Sequence, residues 1–242
     1  MMRDLTRRTL IGTMSLMMLP LWVWATGWHW QPTVAGWWLK PLFWMTETVS
    51  APWGVLTSIL LSGCTVWLLR IRGRQAIAVI VILLATLVAG QGMKSVMKHW
   101  TQEPRPFLVW LEQTNQITVT DFYALTDDDR AALLARQLQQ TTSIPSWQQQ
   151  HWQQQADYAF PSGHTVFAAS WALLIVGLLG SRRCYGMVVL MMLWANSVIG
   201  SRLALGMHWP QDVVVATLIS MVLALMAGWL LRRFFPILYS SR

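Results

Sequence analysis

The chain has 242 residues, of which 55% are apolar and only 12% charged, against the roughly 25% charged of a soluble globular domain; a single soluble core is excluded. Its 17 tryptophans favour a membrane-water interface, where an apolar ring and a polar N–H are both accommodated. The formal charge of +8 comes as small basic groups flanking apolar runs, without the basic stripe of a nucleic-acid surface, and the two cysteines, Cys64 and Cys184, make no disulfide framework.

A helix crossing hydrocarbon needs about 20 mostly apolar residues, because the bilayer leaves no partner for free backbone groups. Six stretches qualify, and the first, about 9–26, follows Arg3, Arg7 and Arg8. Thr6-Arg7-Arg8-Thr9-Leu10-Ile11 with the following apolar run also admits a cleaved twin-arginine leader; a retained first span is the expectation, since the rest of the chain needs no export signal to insert. The run 28–51 is interrupted by Pro32 and Pro41, is crowded by Trp28, Trp30, Trp37, Trp38 and Trp44, and carries Lys40 and Glu47. It reads as a segment lying in the interface.

Spans two and three, about 53–69 and 75–96, flank Arg70, Arg72 and Arg74. The long loop 97–162 contains Thr126 followed by Asp127, Asp128 and Asp129, which open a capped helix running to Gln140. A second helix starts near Ser146, with Trp147, His151 and Trp152 on the side expected to face the interface. Spans four to six follow at about 163–180, 185–201 and 209–231.

With the N-terminus cytoplasmic, one side collects Arg3, Arg7, Arg8, Arg70, Arg72, Arg74, Arg182, Arg183, Arg232, Arg233 and Arg242. The other side receives nine of the ten acidic residues and the long loop. Every short basic turn then obeys the positive-inside rule, which places both termini inside and the loop outside. The expected fold is an all-α integral membrane protein, one domain over 1–242, with six transmembrane helices and a helical loop domain, 97–162, between spans three and four.

By parity, the end of span three, the start of span four, the end of span five and the start of span six emerge on one side. The first of these ends reads Lys98-His-Trp-Thr-Gln-Glu-Pro-Arg105-Pro106; alone it fits a snorkelling lysine and a proline-stopped turn. Lys94, one helical turn earlier, fits snorkelling better still. The second reads Pro161-Ser162-Gly163-His164. Ser162 there is an ordinary N-cap, and the same geometry turns free N–H groups and the positive dipole end outward as an anion site. The last two form Ser201-Arg202-x5-His208-Trp209-Pro210-Gln211-Asp212. Pro210 suits a first helical turn, and the four-residue spacing sets the Asp212 carboxylate beside the His208 imidazole.

Such a pair is either a structural cap or a tautomer-fixing device that leaves one ring nitrogen as nucleophile or base. The second reading gains weight because Lys98, Arg105 and Arg202 converge on the same side. Three fixed cations match a transferring phosphoryl group, whose charge spreads over three equatorial oxygens. Two histidines supply an attacking nitrogen and a proton for the departing oxygen. Asp212, taken as the single carboxylate with them, is too little for a two-metal clamp, so no metal and no cofactor are expected.

Lys98-x6-Arg105-Pro106, Pro161-Ser162-Gly163-His164 and Ser201-Arg202-x5-His208-x3-Asp212 together resemble the three-part signature of the membrane-associated type 2 phosphatidic acid phosphatases. Phe43-Trp44, Thr46-Glu47-Thr48-Val49, Pro52-Trp53-Gly54-Val55 and Gly206-Met207-His208-Trp209-Pro210 are similar to a bacterial branch of that family, while 113–155 matches it less well. The resemblance implies a six-helix fold in a bacterial inner membrane, with a periplasmic active site at the bilayer surface. It implies metal-independent dephosphorylation of phosphatidylglycerol phosphate, with undecaprenyl pyrophosphate, phosphatidic acid, lysophosphatidic acid and diacylglycerol pyrophosphate as further substrates. By position it makes His208 the nucleophile forming a phosphohistidine, Asp212 its orienting partner and His164 the general acid. Lys98, Arg105 and Arg202, with Ser162 and Gly163, would then bind the phosphate.

The partners expected are membrane lipid phosphates and the bilayer, not nucleic acid, and the chain is read as a monomer. A rival reading, an anionic-lipid transporter or flippase, is disfavoured because no span carries an ionisable group near its centre, only Gln91 and Asn196. An anchored phosphatase for soluble esters would not need six spans, and a metal-dependent hydrolase would lose activity to a chelator.

Overall fold

A computed structural model describes residues 2–32, 36–114, 117–138 and 144–235. Among the described residues the protein is helical without strands: α1 (Met2–Ala25), α2 (Leu39–Glu47), α3 (Trp53–Leu69), α4 (Gly73–Thr101), α5 (Pro106–Gln113), α6 (Val119–Ala124), α7 (Asp127–Leu138), α8 (Ser146–Gln154), α9 (Gly163–Leu179), α10 (Tyr185–Ala204) and α11 (Pro210–Phe234). The helices α1, α3, α4, α9, α10 and α11 overlie the six apolar stretches. By length and composition, three segments suit a membrane crossing: Gly73–Gln113, which contains α4, Tyr185–Ala204 and Pro210–Phe234. The equally apolar α3 and α9 have 17 residues each.

The centre of the bundle is α9. From Thr165 to Leu179 only Phe167 escapes full burial, as a helix apolar on every side requires, and α1, α4, α10 and α11 pack around it. α1 shows the complementary one-sided pattern, burying Leu5, Thr9, Gly12, Thr13, Leu16, Met17 and Pro20 at the three- and four-residue spacing of one helical stripe. Its contacts rest on small residues, since a Cβ on Gly228 would lie 2.6 Å and one on Gly177 2.9 Å from the Leu5 methyls. Hydroxyls inside the helices close onto carbonyls one turn back, as with Thr13, Thr65, Thr86 and Thr217. Large apolar side chains such as Met18, Trp67, Val88 and Leu193 stand exposed on the outer surface, as a hydrocarbon solvent permits.

A second core lies at one end of the bundle. Phe107, Leu108, Leu111, Phe122, Leu134, Leu138 and Trp152 from α5–α8 close over Leu205 and Met207 of the α10–α11 turn. Two indoles tie this cap down: Trp30 Nε1 donates to Ala204 O (2.9 Å) and Trp152 Nε1 to Leu205 O (3.0 Å).

Several expectations change here. Trp30 is buried in the second core rather than lying in an interface, although Trp37 and Trp44 of the same segment are exposed. His151 and Trp152 are likewise inside the protein, because the cap offers them a packed core and polar partners that lipid headgroups would not. α7 begins at Asp127 as expected, with Thr126 and Asp129 exchanging hydrogen bonds across its first turn. The expected end at Gln140, the terminal Arg242 and positions 33–35 of the aromatic run lie outside the described residues. α4 runs on to Thr101 and α10 to Ala204, so Lys98 and Arg202 both sit in last helical turns rather than beyond the spans.

Gly206 makes the α10–α11 turn possible. Its φ is +71°, and a Cβ there would lie 2.5 Å from the Trp30 ring. Gly206→Ala is therefore expected to cost about 1–3 kcal/mol and to lower the thermal midpoint of the detergent-solubilised protein. An unchanged midpoint would mean that the turn tolerates a side chain.

Candidate active site

Local sequence dictates where each polar group stands. The Pro104 and Pro106 pair ends α4 and starts α5, and leaves Arg105 extended between them at ψ 149°. Pro210 opens α11, so Asp212 falls in its first turn and its Oδ2 accepts the Trp209 N–H at 2.8 Å. Ser162 caps α9, accepting from Thr165 N at 3.3 Å and from Thr165 Oγ1 at 2.9 Å. Gly163 leaves room for a neighbouring chain, because a Cβ on it would lie 2.6 Å from Lys94 Cδ.

These ends surround a cavity of about 600 Å³ lined by Ser50, Lys94, Lys98, Arg105, His164 and His208 among others. Within it Lys98 Nζ donates to Asp157 Oδ2 at 2.6 Å and to the Tyr158 carbonyl. Arg105 Nε donates to Asp157 O at 2.7 Å, its Nη2 to Asp157 Oδ1, and its Nη1 to Met207 O at 2.8 Å. Asp157 thus bridges both cations. Burial opposes ionisation of its carboxyl, but Arg105 and Lys98 prevail and hold it well below the usual carboxylate range.

The arrangement fixes the state of His208. Its Nε2 lies 3.3 Å from Arg105 Nη1 and its Nδ1 3.3 Å from Asp212 Oδ2. A guanidinium only donates and a carboxylate only accepts, so the hydrogen belongs on Nδ1 and the lone pair on Nε2. Burial, followed by Arg105, pushes the His208 imidazole well below its ordinary pKa, which keeps that lone pair free.

Arg202 stands behind the cavity, fully buried. Its Nη1 donates to Thr46 Oγ1 (2.9 Å) and lies 3.1 Å from His151 Nε2, and its Nη2 donates to Gln155 Oε1 (2.7 Å). His151 Nδ1 lies 3.4 Å from Glu47 Oε1, within ion-pair reach but off a hydrogen-bond line. Burial holds His151 neutral, with its pKa pushed down to about 4. The contact with His151 in turn keeps Glu47 below its ordinary range against the opposing effect of burial. On the far side, Ser50 Oγ donates to Glu47 Oε1 (3.2 Å) and lies 3.0 Å from His164 Nε2.

The structure therefore gathers Lys98, Arg105, Gly163, His164 and His208 on one cavity and sets Asp212 and Arg202 directly behind it. Ser162 is turned away: its hydroxyl is engaged by Thr165, and its N–H donates to Asp212 O at 3.3 Å. Asp212 is also not the single carboxylate of the region, since Asp157 and Glu47 both line the cavity. Motif spacing left these two out, because each comes from a segment whose placement is tertiary. A charged residue closing a tryptophan-rich run was the one signal for Glu47.

Helices of this apolarity around a cation-rich pocket define a membrane-embedded protein, and the chain belongs to the PAP2 superfamily, whose model matches residues 78–236. It is similar to phosphatidylglycerophosphatase B of Escherichia coli (strain K12), 50% identical over 232 residues that cover 96% of this chain and 91% of that one. The Shigella flexneri phosphatidylglycerophosphatase B matches equally, at 50% identity over the same 96% and 91%. The Haemophilus influenzae phosphatidylglycerophosphatase B is 33% identical over 223 residues, covering 88% of this chain and 91% of that protein.

Proposed function

We propose that the protein is a lipid phosphatase of the bacterial inner membrane that removes the terminal phosphate from phosphatidylglycerol phosphate. Related lipid phosphates and pyrophosphates, including undecaprenyl pyrophosphate, phosphatidic acid, lysophosphatidic acid and diacylglycerol pyrophosphate, are further substrates. The observation that carries this reading is the line Arg105, His208, Asp212, in which a neutral imidazole turns its lone pair toward the cation that an incoming phosphate would meet. Half-identity to a phosphatidylglycerophosphatase B over nearly the whole chain supports it.

In this reading the phosphate takes the place of the Asp157 carboxylate between Lys98 and Arg105, with Gly163 and the N-terminal turn of α9 beside it and Arg202 completing the positive wall. The His208 Nε2 pair attacks phosphorus. As the bond to the ester oxygen breaks, protonated His164 gives that oxygen its proton. Water then attacks the phosphohistidine and leaves its proton on His164, and the P–N electron pair returns to His208. Ser162 contributes by capping α9 rather than by touching substrate. The basic turns support a topology with both termini in the cytoplasm and the cavity on the periplasmic side of six spans, within reach of headgroups at the bilayer surface.

The test is phosphate release by the purified protein in detergent micelles. Phosphatidylglycerol phosphate and undecaprenyl pyrophosphate should be turned over, before and after treatment with EDTA. Hydrolysis confined to short soluble esters, or lasting inactivation by chelator that a divalent ion reverses, would overturn the proposal.

A further inference from the structure

A histidine that must carry a proton is badly placed among Lys98, Arg105 and Arg202, since each nearby cation disfavours the imidazolium. The site nevertheless holds one carboxylate joined to His164 through a single hydroxyl. Ser50 Oγ lies 3.0 Å from His164 Nε2 and 3.2 Å from Glu47 Oε1. Because the carboxylate accepts, the Ser50 hydrogen points to Glu47, and its oxygen is left to accept from His164 Nε2–H. Among the described residues His164 Nδ1 has no protein hydrogen bond, so it is the ring nitrogen free to serve the cavity.

We infer that Glu47, acting through Ser50, is a positioning residue for the reaction: it fixes the orientation of the His164 ring and supplies the negative charge that makes an imidazolium tenable there. The inference rests on the reading of His164 as the general acid. Glu47 touches no reacting atom and gains no proton in the cycle. The proton moves from His164 Nδ1 to the leaving oxygen as the P–O bond breaks, and back from water to Nδ1 in the second step. Ser50 and Glu47 keep Nε2–H engaged throughout. Geometry gives Glu47 this role and not Asp157 or Asp212, because Asp157 pairs with Lys98 and Arg105 and yields that place to the phosphate, Asp212 serves His208 and the Trp209 amide, and the hydroxyl bonded to the His164 ring is that of Ser50, which donates to Glu47. His151 does not cancel the Glu47 charge, since burial keeps that ring neutral. The anchoring is good: Thr48 Oγ1, one residue beyond Glu47, donates to Met45 O (2.6 Å) and accepts from Trp194 Nε1 (3.0 Å) of α10, which pins the end of α2 to the bundle.

The experiment compares two phosphate monoesters carrying the same acyl chain in micelles: an alkyl ester of an aliphatic alcohol, whose alkoxide leaves only when protonated, and a nitrophenyl ester of an acyl-substituted nitrophenol, whose phenoxide leaves unaided. Glu47→Gln should lower kcat for the alkyl ester on the order of 10²-fold, within the range of general acid catalysis, and change the nitrophenyl ester less than about threefold. Ser50→Ala, which leaves Glu47 in place, should show the same selectivity, and Glu47→Asp should recover part of the loss. Equal falls on both esters would make Glu47 a structural group and sink the inference, as would no fall on either. His164→Ala serves as the reference. If it also fails to separate the two esters, the assignment of His164 as acid is wrong; if it separates them while both Glu47→Gln and Ser50→Ala do not, only the part given to Glu47 is wrong.

Discussion

Replacing His208 with alanine is expected to reduce phosphate release by at least about 10⁴-fold while leaving lipid binding largely intact. The side chain is buried and sits on the turn between α10 and α11, so truncation removes the one nitrogen whose lone pair faces the Arg105 guanidinium. A protein that carried lipids across the membrane would keep whatever hydrolysis it never owed to this residue. Two measurements separate the cases: phosphate release on lipid substrate, and trapping of a base-stable, acid-labile phosphoenzyme that the alanine variant should not form. Because burial and Arg105 hold His208 well below its ordinary pKa, formation of that phosphoenzyme in the native protein should persist below pH 6.5 rather than fall off there. Phosphoenzyme in the alanine variant, or unchanged turnover, would end the histidine mechanism.

Asp212→Asn is the second large effect. One carboxylate oxygen serves two donors, the Trp209 N–H at 2.8 Å and His208 Nδ1 at 3.3 Å. An amide oxygen in that place still meets both donors, but without the carboxylate's charge it no longer offsets the positive charge that grows on the ring as Nε2 attacks phosphorus. The amide turned over would set its NH₂ against Nδ1 and force the ring hydrogen onto Nε2, where the lone pair is needed. The expected loss in kcat is on the order of 10²–10⁴-fold, by analogy with the wrong-tautomer effect in serine protease triads. Loss of part of the helix cap costs only about 1 kcal/mol. Turnover should therefore fall far more than the thermal midpoint does. A variant within threefold of native activity would reduce Asp212 to a cap.

The positions of the helices were legible because hydrocarbon imposes a length and an apolarity that leave few alternatives, and α9 shows the rule at its strictest. The polar residues at the helix ends were legible for a related reason: proline fixes the start of α5 and α11, and the chain next to it then has little freedom. Legibility ended where placement depends on distant packing. Asp157 and Glu47 belong to no periodic pattern, and nothing in the spacing of Arg202 indicates that Thr46, His151 and Gln155 will hold its guanidinium. Trp30 and Trp152 were misplaced because composition assigns tryptophan to an interface, whereas here each indole finds a carbonyl inside the protein.

Those two indoles have a consequence for how the molecule opens. The carbonyls of Ala204 and Leu205 receive their hydrogens from residues 174 and 53 positions away in the chain. Lifting the cap strips both acceptors at once in surroundings that offer little water, so a partial release is poorly rewarded and the cap and the α10–α11 turn stay locked to a common fate. Disorder that begins at Trp30 in the amino-terminal aromatic stretch would thus reach the turn that carries His208.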